Sequence, residues 1–388
     1  MTEPAARVAH IEPFYVMEVM KAAARLEAAG RSIIHLSIGE PDFTAPAPVQ
    51  RAAAAAIERG MTQYTSALGL PALREAIARD YAHTFGLRID PARVVVTAGA
   101  SAALLLTCAL LVERDSEVLL PDPCYPCNRQ FVLMFEGRPR LMPCGADTRF
   151  QPTADHLREH WSAATRGILL ASPSNPTGTS LEPAVRRALV AQARASGGFV
   201  IIDEIYQRLS YDVAPATAAE HDDAFVLNSF SKYFCMTGWR LGWLVAPPGL
   251  SSVIEKLAQN LYICPPAISQ HAALACFSEE ALAVYEDRHA EFRRRRDYLV
   301  DAIRVLGFGV PVVPDGAFYI YADVSRFSQD SWSFAFELLE QSGVCVVPGR
   351  DFGRAEPHRY VRLSYATSLE RLQEAVERMR AYLGRRSG

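Results

Sequence analysis

The 388-residue sequence lacks the features that mark several large classes of protein. No run of 18 apolar residues occurs, so no segment reads as a membrane span. The N-terminus, MTEPAARVAHIEPF, has no basic stretch followed by an apolar one, so no signal peptide is expected. There is no Asn-x-Ser/Thr site, no internal repeat and no low-complexity tract. Charge of one sign is missing too: 40 Lys+Arg stand against 43 Asp+Glu, a net of −3, which gives no general pull toward nucleic acid or an anionic membrane. No Gly-x-Gly-x-x-Gly follows a strand, and neither a P-loop nor a Gly-x-Ser-x-Gly elbow is present. Dinucleotide enzymes, nucleotide triphosphatases and serine hydrolases of the common kinds are thereby excluded.

Cysteine is present but sparse. The eight cysteines form no dense framework, and several sit in apolar runs, such as Cys108 in LLLTCALL. They are expected to be reduced, in a cytoplasmic protein. Cys124 and Cys127 form a lone Cys-x-x-Cys with no second pair to complete a zinc site, so it reads as a turn and no metal is expected. The run Arg293–Arg296 lies in a helical pattern beside Glu291 and Asp297 and reads as a solvated helix face.

What is there is material for a large core: 50% of residues are hydrophobic and 21% charged, and the length suits two domains. Short apolar strands alternate with helical stretches, the mark of parallel βαβ units. Strands are expected at Val94–Thr97, Glu117–Leu120, Ile168–Leu170, Phe199–Asp203, Phe225–Leu227 and Leu241–Val245, with a helix over Ala100–Val112. Pro183 suits the first turn of a helix that runs toward Gly197-Gly198. The strand cores are continuous rather than alternating, so helices are expected on both faces. Polar and glycine-rich residues gather just after the strands, at the edge where open α/β sheets bind ligands. From about Leu282 the texture shifts to a long charged helix ending near Leu306. Shorter strands follow at Ala317–Ala322, Val344–Val347 and Tyr360–Ser364. The N-terminal helix Val16–Ala29 and strand Ile33–Ser37 precede the main series and are expected to pack on this later part.

Several residues point to carbonyl chemistry. Lys232 sits in the small, polar segment Asn228-Ser229-Phe230-Ser231-Lys232; a desolvated lysine amine is a nucleophile for carbonyls. Asp203 ends the apolar strand FVIID, where a carboxylate needs a cationic partner, such as a protonated cofactor ring nitrogen. Tyr206 and Asn175 are placed to hydrogen-bond a phenolic oxygen. The backbone N–H groups of Ala100 and Ser101 open a helix after Gly99 and suit a phosphate, to which Ser229, Ser231 and Arg240 add further donors.

With these residues in view, the chain resembles the class I/II aminotransferases, pyridoxal-phosphate enzymes of fold type I related to aspartate aminotransferases. The resemblance runs from SIGEPDF to YVRLSYA, and its most specific pieces are SPSNPTG, IIDEIY and SFSKYFCMTGWRLGW, with Asp203 29 residues before Lys232. It implies an α/β fold: a large domain with a mostly parallel seven-stranded sheet covered by helices, plus a smaller α+β domain. The corresponding division is 1–46 as N-terminal arm and part of the small domain, 47–285 as the large cofactor domain, and 286–388 as the C-terminal small domain. The resemblance makes Lys232 the Schiff-base lysine, Asp203 the partner of the ring nitrogen, and Tyr206 and Asn175 the partners of the ring oxygen. It makes Tyr125, in PDPCYPCN, the ring-stacking aromatic. Ala100, Ser101, Ser229, Ser231 and Arg240 become the phosphate cup. Tyr64, in TQYTSALG, becomes a contact to the phosphate of a neighbouring subunit, which implies a homodimer with shared active sites. Arg362 and the backbone of Gly39 become the contacts to the substrate carboxylate, with Asn175 beside them.

The activity implied is ping-pong transfer of an amino group between an α-amino acid and a 2-oxo acid. A C–S lyase on the same fold stays open at this point, as does a non-catalytic sensing module. The pair Ser101-Ala102 stands where some acidic-substrate members carry a basic residue, which leaves aromatic or neutral aliphatic donors. Phe14 and Cys127 are candidates for the side-chain pocket.

Overall fold

Val94, Val95 and Val96 are all fully buried, yet they serve two different apolar layers, Val94 and Val96 on one side and Val95 on the other. The same division recurs at Ile168, Leu169 and Leu170, and at Val200, Ile201 and Ile202. A strand turns successive side chains to opposite faces, so a continuous apolar run supplies both.

The structure is a computed structural model that describes residues 3–386. The chain begins with α1 (Val16–Ala28), β1 (Ile34–His35), α2 (Ala47–Glu58) and α3 (Pro71–Phe85). The sheet-building part follows: β2 (Val94–Thr97), α4 (Ala100–Leu111), β3 (Glu117–Asp122), α5 (Pro126–Met134) and β4 (Arg138–Pro143). It continues through α6 (Ala154–His160), β5 (Thr165–Ala171), α7 (Pro183–Ala195), β6 (Phe199–Asp203), β7 (Ala224–Ser229) and β8 (Gly242–Val245). Helices α8 (Ser251–Tyr262), α9 (Ala267–Ala273) and α10 (Glu279–Leu306) lead to the last segment. That segment holds β9 (Tyr319–Asp323), α11 (Ser331–Ser342), β10 (Val344–Cys345), β11 (Val347–Pro348), β12 (Tyr360–Ser364) and α12 (Leu369–Arg386). Among the described residues, no helix is long and apolar enough to cross a membrane.

Seven strands form one sheet in the order β2-β8-β7-β6-β5-β3-β4. All neighbours are parallel except β8, which runs against both β2 and β7. The strand β4, RPRLMP, gives the core only the pair Leu141-Met142 and was not expected from the sequence; it lies at the sheet's edge, where proline and charge are tolerated. A second sheet, β11-β12-β9, is antiparallel. The expected strand at Val344–Val347 is in fact two: Val344 and Cys345 pair with β1, while Val347 and Pro348 pair with β12. Strand β1 thus joins the early chain to the late one, through Ile34 opposite Val344 and His35 opposite Cys345.

The arginine run departs from expectation. Arg293 and Arg294 are exposed, but Arg295 and Arg296 are buried. Arg295 pairs with Asp42 and Glu291, each at 2.8 Å, and Arg296 with Asp212 at 2.7 Å and Asp297 at 2.6 Å. Four consecutive residues sweep about 300° around a helix, so they cannot all face water.

Candidate active site

Strands β2 and β7 both oppose β8 and therefore point the same way, as do β5 and β6. Their carboxyl ends share one sheet edge. The segments Gly99–Ser101, Ser172–Gly178, Asp203–Tyr206 and Ser229–Lys232 leave from it. A cavity of about 350 Å³ opens there, lined by residues of all four together with Phe14, Gly39, Tyr125, Arg240 and Arg362.

At one end lies an anion cradle. Helix α4 starts at Ala100 with no side chain capping it, which leaves its first N–H groups for a ligand. Gly99 has φ +85°, and a Cβ there would sit 2.7 Å from Arg240 Nη2. Arg240 is itself left-handed at φ 54° and donates to the Thr237 carbonyl at 2.7 Å. Ser229 Oγ accepts the Ser231 N–H at 3.0 Å, which ties the two cavity-lining serines together.

Toward the middle stand Asp203 and Lys232. Asp203 Oδ1 accepts the Ile205 N–H at 3.0 Å. Burial pushes its carboxyl up to about 6, while that N–H and the Lys232 charge hold it down. Burial pulls the Lys232 ammonium down to about 8; Arg362 and Arg240 lower it further, and Glu40 and Asp203 oppose. Lys232 Nζ donates to the Gly39 carbonyl at 2.6 Å.

At the far end, Arg362 Nη1 donates to Asn175 Oδ1 and Nη2 to the Ser37 carbonyl, both at 2.8 Å. Its Nε is buried and finds no partner among the described residues. Arg362 also lies over the Tyr319 and Phe352 rings, at 4.3 and 4.9 Å. Asn175 therefore contacts the arginine directly, and the Tyr206 hydroxyl meets the Tyr319 hydroxyl at 2.8 Å. Burial raises the pKa of Tyr206, and of Tyr125 likewise.

The structure thus brings Gly39, Ala100, Ser101, Tyr125, Asn175, Asp203, Tyr206, Ser229, Ser231, Lys232, Arg240 and Arg362 to one cavity. It does not bring Tyr64 there: that side chain is 80% exposed and lines none of the cavity of its own chain. Phe14 lines the cavity; Cys127 does not. Among the described residues, no group of three or more His, Cys, Asp or Glu side chains is placed to hold a metal. Sequence reasoning missed Tyr319, Asp351 and Phe352, which also line the cavity. The only local sign of Tyr319 was the aromatic-rich strand AFYIYAD.

The donor set fits pyridoxal phosphate. The cradle that a Cβ at Gly99 would fill suits the phosphate. The buried Asp203 carboxylate, raised by burial, suits a protonated ring nitrogen. The depressed Lys232 amine suits an aldehyde.

Comparison with known proteins gives the family. The family described as aminotransferase class I and II matches residues 31–379, and the chain belongs to it. The chain is 41% identical over 386 residues to valine–pyruvate aminotransferase of Mycobacterium tuberculosis, covering 99% of both chains. It is 35% identical to an aspartate aminotransferase of Pyrococcus horikoshii, covering 97% of this chain and 96% of that one. A solved aminotransferase structure from Mycobacterium tuberculosis superposes with a TM-score of 0.94 at 40% identity, covering 99% of this chain and 100% of that one. The chain is therefore a pyridoxal-phosphate-dependent aminotransferase of the aspartate aminotransferase-like fold, acting between an amino acid and a 2-oxo acid.

Proposed function

We propose that this aminotransferase takes its amino group from a neutral, apolar α-amino acid and gives it to a small 2-oxo acid, with Lys232 as the cofactor lysine. The observation that carries this reading is the convergence of Lys232, Asp203 and the Arg362–Asn175 pair on one cavity. Among the described residues lining that cavity, the cations are Lys232, Arg240 and Arg362, and each already has a task. No further cation of the chain is left there for an acidic side chain. Phe14, Val16 and Phe352 offer apolar wall instead. The relative named for valine and pyruvate is consistent with this choice.

Bound in the cavity, pyridoxal phosphate supplies an electron sink for the bonding pair at the donor's Cα. The chain does the rest. Ala100, Ser101, Ser229, Ser231 and Arg240 hold the phosphate, and Tyr125 covers the ring. Asp203 keeps a proton on the ring nitrogen, while Asn175 and Tyr206 hold the ring oxygen. Arg362 grips the donor carboxylate with its planar fork, with the Gly39 backbone beside it, and fixes the Cα–H bond toward Lys232. The Lys232 amine, whose ammonium burial disfavours, would take that Cα proton as a general base.

The reading extends to organisation. The division is an arm of residues 1–46, a large domain of 47–285 and a small domain of 286–388. The protein is a cytoplasmic homodimer in which the exposed Tyr64 reaches the phosphate of the neighbouring subunit.

The test is a panel of amino donors with pyruvate and 2-oxoglutarate as acceptors, combined with borohydride trapping and peptide mapping. Oxo-acid formation that requires an acceptor, with the label on Lys232, is the expected result. Label elsewhere, full turnover in Lys232→Ala, or a preference for aspartate would overturn the assignment concerned.

A further inference from the structure

Helix α1 does not cap itself. Its N-cap residue is Tyr15, whose side chain accepts nothing from the first turn. The cap comes from 336 residues away: Asp351 Oδ1 accepts the Tyr15 N–H at 2.9 Å. A helix N-terminus welcomes a negative charge, so the bond is favourable in sign as well as in geometry. Asp351 is 3% exposed. Its own carbonyl accepts from Arg129 Nη2 at 3.3 Å, so the carboxylate rides on a held backbone. Next to it, the Arg350 guanidinium lies 5.0 Å from the Tyr15 ring and 5.5 Å from the Trp332 ring.

The segment held by this cap forms part of the cavity. Phe14 and Val16 flank Tyr15 and line the cavity wall, as Asp351 itself does. The chain before them is held at few points: residues 3–10 are all exposed, Phe14 is 36% exposed, and besides the Asp351 cap the Glu12 N–H donates to Gln130 Oε1 at 3.2 Å and the Glu12 carboxylate pairs with Arg354 at 3.2 Å. Where so little is buried, one long-range cap weighs heavily on where the wall stands.

We propose that Asp351 is a positioning residue that, by capping α1 from the far end of the chain, sets how closely Phe14 and Val16 approach the donor side chain and so favours large apolar donors. This rests on the reading of the cavity as the donor site.

The test uses holoenzyme. In Asp351→Ala, kcat/KM for leucine and phenylalanine should fall about tenfold more than for alanine, chiefly through KM. Amide hydrogen exchange over residues 15–20 should speed up. Asp351→Asn keeps an acceptor oxygen and should recover most of both effects. Tyr15→Pro removes the donor N–H, together with the ring, at a φ of −65° that proline adopts, and should shift donor preference in the direction of Asp351→Ala by more than Tyr15→Ala does. Tyr15→Ala keeps the N–H and serves as its control. Equal losses for all donors, unchanged exchange, or Asn no better than Ala would overturn the proposal. If Asp351→Ala does not fold, the Tyr15 pair decides. If the wild-type enzyme transfers no amino group from any donor, the donor-site reading fails, and the exchange data alone judge the cap.

Discussion

Arg362 Nη1 and Asn175 Oδ1 lie 2.8 Å apart across 187 residues of chain. This contact joins the loop after β5 to strand β12, and with it the proposed partner of the cofactor oxygen to the proposed substrate grip. A fork that is already oriented loses less freedom when a carboxylate arrives.

Arg362→Lys should therefore raise KM for α-amino acids about ten- to a hundredfold, because a charge-assisted bidentate contact of roughly 1.5–3 kcal/mol is lost. Steady-state kinetics with the best donor checks this. An unchanged KM would remove the carboxylate role from Arg362.

Gly99→Ala should weaken cofactor binding about tenfold or more. The backbone at φ +85° and ψ 168° is a region that only glycine occupies readily, at a cost of about 1–3 kcal/mol for another residue, and the new Cβ must displace the Arg240 guanidinium from its place in the cradle. Titration of cofactor-free protein with pyridoxal phosphate, followed by fluorescence, measures the loss. Wild-type affinity in Gly99→Ala would show that neither the turn nor Arg240 matters for the phosphate.

Tyr319→Phe removes the partner of the buried Tyr206 hydroxyl. Unfolding free energy should drop by about 1–3 kcal/mol, the cost of an unpaired buried polar group. The double variant with Tyr206→Phe should lose less than the two single variants together, which a urea-unfolding cycle can read. Strict additivity would deny the coupling.

The pH dependence of the cofactor-free protein follows from two opposite shifts. Lys232 titrates near 8 when folded against an ordinary 10.5, so the cost of burying its charge is complete below pH 8 and is relieved as pH rises toward 10.5. Asp203 titrates near 6 against an ordinary 3.8, so its cost is complete above pH 6 and is relieved as pH falls toward 3.8. Lys232→Met should raise Tm at pH 7 by more than at pH 10, and Asp203→Asn should raise it at pH 7 by more than at pH 4. Melting curves at these values suffice; a Tm difference independent of pH would contradict the shifts.

Much of the sheet could be read in advance because its strands are apolar runs that end in polar turns. Val94–Thr97, Phe199–Asp203 and the proline-led helix at Pro183 stand where periodicity put them. Edge strand β4 escaped, since its apolar pair Leu141-Met142 is too short to read as a run, and β10 and β11 merged into one because a change of sheet leaves no mark in hydropathy. On the candidate site, the motif residues were legible as local clusters. Tyr319 and Asp351 were not, because neither belongs to a cluster with chemistry of its own.

The order of residues by itself determined the strand cores, the lysine in its small polar segment and the aspartate that ends the most apolar strand. Each is a matter of neighbours along the chain, where burial and backbone preference act. Only the tertiary structure decided that Asn175 meets Arg362, that Tyr206 meets Tyr319, that Arg295 and Arg296 turn inward, and that Asp351 caps α1. Those pairings depend on which edges and ends the packed layers bring within hydrogen-bond reach, a distance that no local pattern encodes.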